Sequence, residues 1–111
     1  MIPAATLSYI LDGATPVAEP DANAWRNWMR AAQEDGRRIV AKTQINPRIE
    51  VSTVFTGMDR GPARSPGFDL PVLFETATYE EGEIIDTRDY TSWDEAMSGH
   101  AERVAALGGP A

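Results

Sequence analysis

The chain has 111 residues, with 17 acidic against 10 basic side chains, a net charge of -7, no cysteine and one histidine, His100. A chain of this length buries roughly two-thirds of its unfolded surface, which argues for one small globular domain over residues 1–111 with frayed ends near 1–5 and 108–111. Without cysteine there is no thiol nucleophile, disulfide or thiolate zinc site, and a single imidazole excludes any chemistry that needs two.

Thr6 to Leu11 reads as a short N-terminal edge strand, closed by Asp12-Gly13 and kept from a continuing ladder by Pro16 and Pro20. Asp21 is placed as the N-cap of a helix whose apolar stripe is Trp25, Trp28, Met29 and Ala32, with Gly36 as its stop. Two tryptophans on one helix face suit a stacking platform for a base or ligand, but at helical spacing they read first as core.

From Arg38 to Gly57 the period changes to two. Ile39, Ala41, Thr43 and Ile45, then Ile49, Val51, Thr53 and Phe55, form the apolar face of a hairpin that turns at Asn46-Pro47. Residues 58 to 70, rich in Gly, Pro and Arg, form one long loop. Pro71 to Tyr79 makes a further strand, with Val72 and Phe74 on one face and Leu73, Ala77 and Tyr79 on the other, and Glu81-Gly82 turns it into another, Glu83 to Tyr90.

Ser92 and Glu95 have capping-box spacing before a last helix, where Asp94 and Glu95 complement the dipole and Trp93, Ala96, Met97, His100, Val104 and Leu107 make the stripe. The fold class that follows is α+β, a four- or five-stranded, mostly antiparallel sheet with two helices packed on one face. Val40, Val54, Leu73 and Tyr79 are expected on the opposite face, open for a partner or a second copy, so a homodimer is one expectation.

Chemical signals are sparse. His100 lies on the apolar stripe of the last helix and reads as a hydrogen-bonded structural histidine rather than a general base. No EF-hand, H-E-x-x-H or phosphate-loop pattern is present, so no catalytic residue, metal or cofactor is assigned. Asp59, Arg60 and Arg64 in the long loop are candidate ligand contacts, with the two arginines holding phosphate if the protein sequesters a nucleotide signal.

Charge is segregated along the chain, with the cations concentrated in residues 26–64 and the acids in 75–95. Within the acidic stretch, Glu80, Glu81, Glu83, Asp86 and Asp89 form a candidate partner-binding surface, because closely spaced carboxylates on a sheet edge imitate a phosphate backbone. The plainer reading is a solvated turn and a protected edge strand. Direct nucleic-acid binding is disfavoured by the net charge, and no run approaches the ~18 apolar residues of a spanning helix. Met1 to Ala5 lacks the marks of a secretory signal, which points to the cytoplasm.

Tyr9-Ile10-Leu11-Asp12-Gly13 with Pro16-Val17, Val51 to Asp59, Leu73-Phe74-Glu75-Thr76 and Tyr90 to Ala96 with Gly99-His100 together resemble a family of small phage and prophage proteins, mostly of unassigned function. The resemblance runs in order over residues 8 to 104. Where the family often has histidine after Gly-x-Asp, this chain has Arg60. The resemblance implies a virus-encoded accessory protein in the host bacterial cytoplasm, an anti-CRISPR-like inhibitor of a host defence or nucleic-acid-processing protein or ribonucleoprotein. The alternatives are a nucleotide-sequestering protein and a virion or assembly component.

Overall fold

A computed structural model describes residues 8–59 and 70–109. The elements in chain order are β1 (Tyr9–Asp12), β2 (Thr15–Ala18), α1 (Ala22–Asp35), β3 (Ile39–Gln44), β4 (Ile49–Phe55), β5 (Phe74–Glu80), β6 (Glu83–Tyr90) and α2 (Trp93–Ala106). They form an α+β fold with two antiparallel sheets, a β1-β2 hairpin and a four-stranded meander in the order β3-β4-β5-β6.

The N-terminal segment differs from the expected single edge strand. Pro16 lies inside β2, opposite Leu11. Glu19 N–H donates to Ser8 C=O at 2.9 Å, and alternation along the ladder makes Leu11↔Pro16 a pair without mutual hydrogen bonds. The missing N–H of proline therefore costs nothing there. Thr6 and Leu7 of the expected strand lie outside the described residues, as do Arg60 and Arg64.

Helix α1 begins and ends where the sequence places it. The Asp21 carboxylate accepts from Asn23 N–H at 2.9 Å and Ala24 N–H at 3.1 Å, and Gly36 closes the helix at φ 81°. Trp25 then ties the two sheets together, because its Nε1–H is shared between Tyr9 C=O at 3.1 Å and Gly57 C=O at 3.0 Å. Gly57 C=O also accepts from Tyr9 N–H.

The two tight turns of the meander, β3–β4 and β5–β6, are fixed by specific side-chain and backbone contacts. Asn46 Oδ1 accepts from the N–H groups of Arg48 and Ile49 at 2.8 and 2.9 Å. Glu81 and Gly82, at φ 52° and 84°, close β5 onto β6 with both central residues left-handed, as a tight hairpin requires. Glu81 is held in that conformation from both ends: its N–H donates to Arg48 C=O at 2.8 Å and its carboxylate meets Arg48 Nε at 2.9 Å.

The core runs as an aromatic row. Trp28 meets Phe55 edge-on, Phe55 packs on Phe74, and Phe74 meets Trp93 edge-on, with centroid separations of 5.8, 5.5 and 6.3 Å. Leu11, Leu73 and Ala96 complete it. Two residues expected on the open face belong here instead. Val40 sits at a register shift between Ile39 and Ala41 that interrupts the alternation, and Leu73 precedes the first paired residue of β5.

Helix α2 lies across the sheet, and its contact face keeps the expected stripe with the exception of Met97, with Gly99 added. Ala96, Gly99 and His100 are buried, whereas Met97 is 44% exposed. The sheet beneath is polar: Thr53, Thr76 and Thr78 have no exposed surface. Hydrogen bonding to His100 and Arg103, described below, orients the helix toward these hydroxyls.

Candidate functional site

The five acidic candidates separate into two environments. Glu80, Glu81 and Glu83 cluster at the β5–β6 turn, where Glu80 and Glu83 are cross-strand partners and Glu81 and Glu83 are exposed. Asp86 is half-buried farther along β6, 3.3 Å from Arg88 Nε and 3.7 Å from Arg103 Nε. Arg103 is itself anchored, donating from Nε to Thr78 Oγ1 at 2.9 Å. Asp89 lies toward the opposite end of β6, across from Glu75. The sequence-adjacent acids therefore do not make one continuous charged face.

Beside the acidic turn the structure exposes apolar surface. Ile84 and Ile85 are consecutive, 55% and 50% exposed, on the edge strand of the meander. A bulge produces the pair: the register steps from Thr78↔Asp86 to Tyr79↔Ile84, leaving Ile85 without a residue opposite it. On the sheet face that α2 does not cover, a groove of about 550 Å3 runs between the two turns, lined by Arg48, Glu50, Ser52, Tyr79 and Glu81. Tyr79, the cross-strand partner of Ile84, links groove and edge.

A second constellation lies under α2. His100 is 5% exposed, with Nε2 2.8 Å from Thr43 Oγ1 and Nδ1 2.8 Å from Thr53 Oγ1. Thr53 Oγ1 lies 2.6 Å from Thr76 Oγ1. Burial lowers the His100 pKa below its ordinary 6.5, because the imidazolium loses water it does not recover from threonine hydroxyls. Burial likewise raises the Tyr90 pKa. Both ring nitrogens lie within hydrogen-bonding distance of a threonine hydroxyl, Thr53 fully buried and Thr43 half-buried, and the arrangement positions α2 on the sheet.

Asp59, one of the loop candidates, is used locally: its Oδ1 accepts from Val72 N–H at 2.9 Å, joining the two ends of the 58–70 loop. Among the described residues no group of three or more His, Asp or Glu side chains is placed to hold a metal ion, and no helix is long and apolar enough to cross a membrane. Sequence reasoning gave no structural role to Thr76, Thr78, Tyr90 and Gly99, nor to Ile84 and Ile85. Threonine at alternate positions of β5 was the available signal for the polar face; the bulge that exposes both isoleucines has no local signature. No family of known proteins, characterised protein or solved structure matches the chain.

Proposed function

We propose that the protein is a non-enzymatic inhibitor that docks its β5–β6 hairpin on a basic surface of a nucleic-acid-handling protein and blocks it by occupancy. The observation that carries this reading is the adjacency of Ile84 and Ile85 to Glu80, Glu81 and Glu83. Apolar side chains at the centre supply binding energy, while a rim of carboxylates selects and steers a cationic partner. Tyr79 adds an aromatic anchor beside them. In keeping with the resemblance to small phage proteins, the target is a host defence ribonucleoprotein in the bacterial cytoplasm, inhibited as anti-CRISPR proteins inhibit theirs.

The test is target-DNA binding by purified CRISPR effector ribonucleoproteins with and without stoichiometric protein. Inhibition of one effector should be lost in Ile84→Ser/Ile85→Ser, and the Glu80→Lys/Glu81→Lys/Glu83→Lys variant should bind more weakly with a flatter salt dependence. Full inhibition by the charge-reversed variant removes the electrostatic mechanism, and no effect on any effector removes the function.

A further inference from the structure

We propose that the cavity between the β1-β2 hairpin and the start of α2 binds a small planar aromatic anion. The cavity measures about 340 Å3 and is lined by Leu11, Gly13, Trp28, Arg37, Ile39 and Trp93. That lies at the small end of the range for ligand cavities, roughly 300–1,000 Å3, and suits one or two fused rings. None of the hairpin residues assigned to partner binding takes part.

The walls are preorganised. Trp28 and Trp93 each stand edge-on to a buried phenylalanine, Phe55 and Phe74, and these two phenylalanines pack on each other. The two indoles thus share one fixed base, and a ring bound beside them does not have to order them first. Gly13, at φ 62° in the β1-β2 turn, forms part of the rim, and the space around its α-carbon is open.

Arg37 gives the ligand its charge. The guanidinium lies 5.2 Å from the centroid of the Trp28 ring, and its side chain is half exposed at the cavity. Asp35 fixes it, accepting from Arg37 Nε at 2.9 and 2.7 Å and from the Arg37 backbone N–H at 3.1 Å, so the guanidinium's share of these bonds runs through Nε. The terminal nitrogens carry four further donors in the fork geometry that suits a carboxylate or sulfonate. An aromatic ring meets the indoles while its acid meets the guanidinium, a combination that neither a cation nor a purely aliphatic acid satisfies.

The experiment titrates the protein with 1-naphthalenesulfonate, 1-naphthylmethylammonium and 1-naphthalenemethanol while following the indole N–H resonances. The sulfonate should shift Trp28 and Trp93 and leave Trp25, whose Nε1–H is committed to Tyr9 and Gly57. Arg37→Gln should weaken the sulfonate about fivefold with the alcohol unchanged, and Asp35→Asn should tighten it by a similar factor, both positions being exposed enough to leave the fold intact. Equal affinity for sulfonate and ammonium, or Trp28 and Trp93 resonances unmoved at millimolar probe, overturns the proposal.

Discussion

Gly99 lies directly against the ring of Tyr90: a β-carbon on Gly99 would sit 2.1 Å from the phenol oxygen and 2.1 Å from Cζ. This contact explains a glycine in the middle of α2, where alanine would favour the helix by about 1 kcal/mol. It also sets how closely α2 approaches β6, and with that the depth at which His100 enters the sheet.

Gly99→Ala is expected to destabilise the protein by about 1–3 kcal/mol despite its better helix propensity, because the Tyr90 ring has to leave its position. Urea unfolding checks this. Pairing Gly99→Ala with Tyr90→Leu should recover part of the loss, and a fully additive double variant would show that the contact is not the cause.

The buried imidazole makes stability depend on pH with a definite sign. His100 has a lower pKa folded than its ordinary 6.5, so the unfolded chain binds the proton more readily. Its contribution is complete above pH 6.5 and is lost as the pH falls below that value toward the folded pKa. Unfolding free energies measured at closely spaced pH values should fall immediately below 6.5, and His100→Gln should flatten the curve there while leaving the carboxylate-driven loss at lower pH.

Thr53 bridges two polar groups that have no water to turn to. Thr53→Val keeps the shape but deprives His100 Nδ1 and the Thr76 hydroxyl of their shared partner, at about 1–3 kcal/mol for each group left unsatisfied. Thr53→Ser should be close to neutral by comparison. A similar loss in both variants would mean that the methyl group, not the hydroxyl, matters at this position.

Trp25 supplies a donor as well as bulk. Trp25→Phe removes the N–H shared by Tyr9 and Gly57 while retaining a ring, and should cost about 1–3 kcal/mol. Hydrogen exchange should show the loss first in β1 and β2, with the meander protected. Uniform loss across both sheets would show that the hairpin does not open separately.

The edge isoleucines should be neutral for folding. Ile84→Ser/Ile85→Ser is expected to change stability by no more than about 0.5 kcal/mol per site, since both side chains are exposed in the isolated chain. A melting temperature close to that of the parent protein makes any loss of inhibition attributable to contact with the partner.

Much of the architecture is legible from local signals. Asp21, Gly36, Ser92 and the Glu81-Gly82 turn announce themselves because caps and turns depend on a few adjacent residues. Pro16 misleads because its acceptability depends on which rung of a ladder it occupies, a relation to Leu11 rather than a property of its own. The same holds for one member of the α2 stripe. Met97 is apolar and well spaced, yet the helix turns Gly99, His100 and Arg103 toward the sheet because threonines await them, 57 residues away from His100 in the case of Thr43. Of the candidate surface, charge was readable from sequence and grouping was not: Asp86 is drawn toward Arg103 by the way α2 crosses β6, and Ile84 and Ile85 become neighbours on the surface only through a bulge.

The chain of hydroxyls around His100 fixes position without fixing direction. The hydroxyls of Thr43, Thr53 and Thr76 can each donate or accept, so their proton order reverses when the imidazole proton moves from Nδ1 to Nε2. In one setting Thr43 donates to the ring, the ring donates to Thr53 and Thr53 donates to Thr76; in the other the ring donates to Thr43, while Thr76 donates to Thr53 and Thr53 to the ring. Both orders satisfy the same heavy-atom distances, and the nitrogen-15 shifts of a single ring report which one the protein occupies.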